Sequence, residues 1–115
     1  MKLAESKEGI WPSQKDLQVN AFPNTVLLDY TNVCNLSCVH CEQPHMRVRP
    51  GYAPRHMGSD LSKRILDQIA EHPGTLVRII GDGEPLVVPH LPELIEYAGE
   101  KGISPLGITT AGYHL

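Results

Sequence analysis

The chain has 115 residues, 41% of them hydrophobic and 20% charged, with ten Lys and Arg against thirteen Asp and Glu, giving a formal net charge of −3. That is room for one small domain with a modest core, and without a basic excess the composition argues against a nucleic-acid partner. No apolar run reaches the ~18 residues of a membrane span, and residues 1–16 carry charges but no apolar signal core, so the expected location is the cytoplasm with no membrane partner.

Residues 1–24 show no hydrophobic period and include Pro12 and Pro23; they read as a leader ahead of a domain over 25–115, with Trp11 and Phe22 as possible anchors. Residues 25–29 are β-branched and apolar, which predicts a buried strand. Residues 31–58 lack a helical period; they hold three cysteines and then Pro44, Pro50, Gly51, Pro54 and Gly58. Ser59 or Asp60 is positioned to cap a helix starting near Leu61, whose apolar stripe is Leu61, Ile65, Leu66, Ile69 and Ala70. Pro73 and Gly74 stop it.

Residues 76–80 predict a second strand, ended by Gly81-Asp82-Gly83-Glu84-Pro85. A second helix fits 91–101, with Pro92 in its first turn, Leu91, Leu94, Ile95 and Ala98 on one face, and Gly102 beyond its end. Residues 106–110 predict a third strand, followed by a turn at Ala111-Gly112. Strands alternating with helices imply parallel pairing through right-handed crossovers. The expected fold class is α/β, a partial TIM-like (β/α)6 barrel with three parallel strands and two helices. Three such strands have open edges and little helix cover, which reads as part of a larger barrel or sheet.

Cys34, Cys38 and Cys41 lie within eight residues and are the only cysteines of the chain. An odd, tight cluster is no disulfide framework; metal binding or redox chemistry is the alternative. An iron–sulfur cubane takes four ligands, and three thiolates leave one iron open to bind something else, which favours a reactive cluster over an electron relay. The cysteines follow strand one, Gly83-Glu84-Pro85 follows strand two, and Thr109-Thr110-Ala111-Gly112 ends strand three. Parallel strands bring these three segments to one rim, where α/β proteins place their sites.

The Cys-x3-Cys-x2-Cys loop after a first strand resembles the signature of the radical S-adenosylmethionine (SAM) superfamily. Gly83-Glu84-Pro85 resembles its Gly-Gly-Glu motif, and Thr109-Thr110-Ala111-Gly112 its Thr-Asn-Gly strand end. The stretch from Tyr30 to Leu36, together with Gly-Glu-Pro-Leu, is similar to the branch that often carries a C-terminal auxiliary-cluster domain. The resemblance covers residues 25–115, about the first half of the core.

It implies a [4Fe–4S] cluster held by Cys34, Cys38 and Cys41, with S-adenosyl-L-methionine chelating the fourth iron through its amine and carboxylate. It implies reductive cleavage to a 5′-deoxyadenosyl radical that takes hydrogen from a small-molecule or peptide substrate, with electrons from a flavodoxin- or ferredoxin-type donor. It also assigns SAM contacts to Gly83, Glu84 and Thr110, and a backbone contact to adenine at His40. His40 stands where the family usually has an aromatic residue, Asp82 replaces the first glycine of Gly-Gly-Glu, and Ala111 stands where Asn is common. Because later strands of the family's barrel carry further SAM contacts, this chain alone is expected to bind SAM poorly and not to turn over.

Other readings of the same residues are less demanding. Structural zinc would take Cys34, Cys38 and Cys41 with His40 or His45, making the chain a non-catalytic metal-binding module or a degenerate remnant. Gly81–Pro85 and Thr109–Gly112 also read as ordinary turns. His45, His56, His72, His90 and His114 are single histidines with surface or loop roles, Met46 and Met57 are packing residues, and Arg47, Arg49 and Arg55 belong to a solvated loop.

Overall fold

A computed structural model describes residues 21–113. Three strands, β1 (Thr25–Leu28), β2 (Leu76–Ile79) and β3 (Leu106–Ile108), form one parallel sheet in the order β1-β2-β3. Val26 pairs with Val77, which pairs with Leu106; Leu28 pairs with Ile79, which pairs with Ile108. The period of two puts these six side chains on one face. There Val77 is fully buried, and Ile79 and Leu28 nearly so. Leu27 and Arg78, one residue out of phase, occupy the opposite face, and Leu27 is 63% exposed. The three parallel strands bear out the expected class.

Three α-helices, α1 (Gln43–Met46), α2 (Ser59–Ala70) and α3 (Leu91–Glu100), and a 3-10 turn at Pro85–Val87 complete the described elements. The single turn of α1 lies within 31–58, where no helix is expected from periodicity; four residues are too few to show one. Helix α2 is capped differently from the expectation. Gly58, in extended conformation, is its N-cap, and Ser59 and Asp60 lie inside the first turn without a side-chain cap. The Asp60 charge there still suits the positive end of the helix.

The buried face of α2 runs through Ser62, Leu66 and Ile69, with Ile65 beside it, whereas Leu61 is 45% exposed. The stripe is the predicted one except at its start, where Ser62 is buried and Leu61 is not; Leu66 and Ile69 are in the core and Ile65 and Ala70 pack against it. A serine can lead it because its hydroxyl donates to Gly58 O at 2.9 Å and pairs with the Tyr30 phenol. Burial pushes the Tyr30 phenol above its ordinary range, and the Ser62 bond draws it partly back. On α3, Leu91, Leu94 and Ala98 face inward and Ile95 is the half-exposed exception to its predicted face. Gly102, with φ of 75°, follows the C-cap of α3 in the left-handed region that glycine enters without steric cost, and Gly74, with φ of 89°, makes the turn between α2 and β2 in the same region.

The two long helices are also clasped at the surface. The Tyr97 hydroxyl donates to Asp67 at 2.7 Å, Lys101 pairs with Asp67, and Lys63 pairs with Glu93. These bonds hold the carboxyls of Asp67 and Glu93 below their usual range. At the described N-terminal end, the Phe22 ring stacks on His72 at 3.8 Å, and Asn24 O accepts Leu76 N at 2.9 Å. Phe22 therefore does anchor its segment; Trp11 and His114 lie outside the described residues.

Leu66 sits 1% exposed between the sheet and α3 in this core. Leu66→Ala is expected to cost about 2–5 kcal/mol of unfolding free energy, read as a lower urea midpoint at unchanged slope. An unaltered midpoint would contradict the packing described.

Candidate functional site

The C-terminal ends of β1, β2 and β3 do come together, and the hydrogen bonds between their loops show how. The turn after β2 locks onto the cysteine loop: Glu84 N donates to Val33 O at 2.9 Å, one residue before Cys34. Gly83 permits this approach, because a Cβ there would lie 2.4 Å from Thr31 O and 2.5 Å from Val33 O. Only a residue without a side chain lets two backbones pass so closely. Gly81 is equally tight, against the Asp29 carboxylate, whose oxygens accept Thr31 N and Asp82 N at 3.4 Å.

Glu84 also reaches the end of β3. Its side chain is 4% exposed; one oxygen accepts the Thr110 hydroxyl and Leu86 N, and the other accepts Ala111 N at 2.9 Å. A buried carboxylate needs donors of this kind, and three short-range ones satisfy it. Thr110 then accepts Gly112 N at 3.0 Å, closing the turn. Of the residues expected at the site, Gly83, Glu84, Thr110 and the cysteine loop are thus brought together. The Glu84 carboxylate is directed at protein donors from the β3 end, a use the sequence does not disclose.

The cysteine loop carries three free thiols, Cys34 half-buried and Cys38 and Cys41 exposed. His40 is exposed on the turn between the last two, where Cys41 N bonds Cys38 O at 3.1 Å. Gln43 N, opening α1, approaches Cys41 Sγ at 3.4 Å. The thiols share one loop without converging on a point: among the described residues, no three His, Cys, Asp or Glu side chains gather tightly enough to hold a single metal ion.

Several residues position the loop in ways that the sequence does not disclose. Arg47 donates to Cys34 O at 2.9 Å, to Leu36 O at 3.1 Å and to the Ser37 hydroxyl. It is a clamp on the loop rather than a solvated charge. Buried Gln43 and the Tyr52 hydroxyl both donate to Asn32 O, at 3.0 and 2.9 Å, and Gln43 Oε1 is left without a partner among the described residues. The stretch 53–57 runs antiparallel beside 30–32: Met57 N bonds Tyr30 O, Arg55 N bonds Asn32 Oδ1, and His56 Nδ1 meets the Thr31 hydroxyl at 2.8 Å. His90 Nε2 meets Met57 O at 2.7 Å from the other side. Arginine, asparagine and histidine in a Pro-rich loop give no periodic signal, so the only sequence cue was their local density.

Comparison with known proteins decides the family. The sequence model of the radical SAM superfamily matches residues 28–115. The chain belongs to the radical SAM superfamily. It is 33% identical over 87 residues to the Fe-coproporphyrin III synthase of Methanosarcina barkeri, covering 76% of this chain and 21% of that protein. It is 34% identical over 89 residues to the PqqA peptide cyclase of Bradyrhizobium diazoefficiens, covering 77% of this chain and 22% of that one. With the probable GTP 3′,8-cyclase of Methanococcus maripaludis it shares 32% over 85 residues, 74% of this chain and 27% of the relative. The chain thus spans between 21% and 27% of the length of these curated relatives. No solved structure matches it.

Radical SAM enzymes use a [4Fe–4S] cluster and S-adenosylmethionine. The donor set fits the first of these: three free thiols lie on one loop, partly wrapped by backbone and polar side chains, and would supply three of the four ligands that a cubane takes. Among the described residues no helix is long and apolar enough to cross a membrane.

Proposed function

We propose that residues 25–115 form the N-terminal part of a radical SAM core, preceded by a leader over 1–24, and that Cys34, Cys38 and Cys41 ligate its [4Fe–4S] cluster. The observation that carries this reading is the union of three strand ends through Glu84, which sets the turn after β2 directly against the thiol loop. In this superfamily the bound cluster and SAM together supply a 5′-deoxyadenosyl radical that abstracts hydrogen from substrate.

The chain's own residues prepare the place for them. Gly83 keeps the rim free of a side chain beside the cysteine loop. The Gly83 carbonyl and the Glu84 segment offer acceptors to the SAM ammonium group. Thr110 holds Glu84 in place by donating to it. His40, exposed on its turn, offers backbone to the adenine ring. The electron donor we propose is of flavodoxin or ferredoxin type.

Anaerobic reconstitution with iron and sulfide tests the ligand assignment. The expected product is brown and oxygen-sensitive, with broad absorbance in the visible blue. A colourless chain holding stoichiometric zinc would sink the assignment and leave a structural zinc module.

Glu84→Gln separates fold from cofactor. An amide must turn one end toward donors that now meet an N–H group, so a loss of about 1–3 kcal/mol in stability is expected. Iron content should stay at the wild-type level while the spectral response to added SAM weakens. Equal iron loss in Glu84→Gln and in a cysteine variant would contradict the separate roles.

A further inference from the structure

We propose that Arg47 is a positioning residue for the cluster: its guanidinium fixes the path of the loop between the first two cysteines, and its charge raises the reduction potential of the metal group bound there. The proposal rests on the assignment of Cys34, Cys38 and Cys41 as ligands. Arg47 closes the single turn of α1, where its N–H bonds Gln43 O at 3.1 Å. From that fixed base its two terminal nitrogens reach three acceptors, the carbonyls of Cys34 and Leu36 and the hydroxyl of Ser37. All three lie on the short stretch that separates Cys34 from Cys38. A planar fork with several donors can hold such a set; a lysine ammonium is a single point charge on a flexible stem and cannot span it.

The charge has a second effect. Arg47 is hydrogen-bonded to the carbonyl of a residue that supplies a thiolate. Reduction by one electron makes the cluster more negative, and a fixed cation nearby favours the reduced form. Hydrogen bonding and net charge around the sulfurs are among the levers that set such potentials. The other arginine near the turn, Arg49, is exposed and already paired with Glu42 at 3.4 Å, so it does not share this role.

The test uses the chain with and without metal. In the metal-free chain, hydrogen exchange followed by mass spectrometry should show residues 34–41 exchanging several-fold faster in Arg47→Gln and in Arg47→Lys, with Ser59–Ala70 unchanged. In the reconstituted chain, an EPR titration against dithionite should place the Arg47→Gln midpoint at a more negative potential than wild type, and Arg47→Lys should recover most of that shift without recovering the loop's protection. Wild-type exchange in both variants overturns the clamp, and a wild-type midpoint in Arg47→Gln overturns the charge effect. If Arg47→Gln speeds exchange in Ser59–Ala70 as well, Arg47→Lys decides, wild-type loop protection with lysine again overturning the clamp. A wild-type chain that takes up no iron at all defeats the ligand assignment and with it the charge effect, while the metal-free exchange still decides whether Arg47 orders the loop.

Discussion

Cys38→Ala is expected to leave the chain without a cluster: iron and sulfide after anaerobic reconstitution fall to background, and the blue-region absorbance disappears. The reason is arithmetic of ligands. The chain has three thiols, all free, and no other cysteine to recruit. A cubane with one open corner needs all three, and removing one leaves two protein bonds on a group that exchanges with solvent thiols. Cys38 is exposed and makes no contribution to the apolar core. Its loss should therefore leave the unfolding free energy of the metal-free chain, read from urea titration, within about 0.5 kcal/mol of wild type. That combination, full loss of metal with an intact fold, distinguishes a ligand from a packing residue. Retention of a full iron complement in Cys38→Ala would remove it from the ligand set.

Gly83→Val carries the second large effect, and it acts through backbone. A Cβ at this position would lie 2.4 Å from Thr31 O, 2.5 Å from Val33 O and 2.8 Å from Thr31 Cγ2. Two of these atoms are main chain of the loop that leads from β1 to Cys34 and cannot swing aside as a side chain would. The turn must retreat, breaking the Glu84 N to Val33 O bond and drawing Glu84 off its donors at the β3 end. Several buried polar groups then lose partners together, so a loss of about 3 kcal/mol or more in unfolding free energy is expected. Iron uptake should fall as well, because the cysteine loop loses its neighbour. Gly99→Ala is the matched control: it lies in α3 with nothing within 4 Å of a built Cβ, and it should be neutral or stabilising by roughly 0.5–1 kcal/mol. Equal stability of Gly83→Val and wild type would refute the close approach.

Much of this is legible in the sequence because apolar runs and punctuation are local signals. The strands around Val26, Val77 and Ile108 announce themselves as β-branched runs between breakers, Gly102 marks the end of α3, and Gly74 marks the turn that leads from α2 to β2. The cysteine spacing and the two later motifs point to one rim once parallel strands are granted. What was not legible depends on three-dimensional partners. The burial of Ser62 in place of Leu61 follows from hydroxyl bonds to Gly58 and Tyr30, and hydrophobicity alone assigns that position to leucine. The α1 turn is too short for a period. Arg47 looks like any surface arginine until the loop path brings three acceptors to it. The bonds by which Glu84 ties the turn after β2 to the β3 end depend on Thr110 and Ala111, more than twenty residues away in sequence.

The sheet order β1-β2-β3 follows the order of synthesis, with each strand laid beside the one before it. A nascent chain leaving the ribosome can therefore assemble the rim vectorially, without waiting for a distant strand to be inserted between two earlier ones. The thiol loop comes first, the glycine turn docks on it, and the Glu84 carboxylate gains its donors at the β3 end only when Thr110 and Ala111 emerge. Stalled chains exposing residues up to 104 should remain open to protease at residues 81–87, and chains exposing residues up to 113 should become resistant there. Equal cleavage in the two would mean that the rim closes by another order of events.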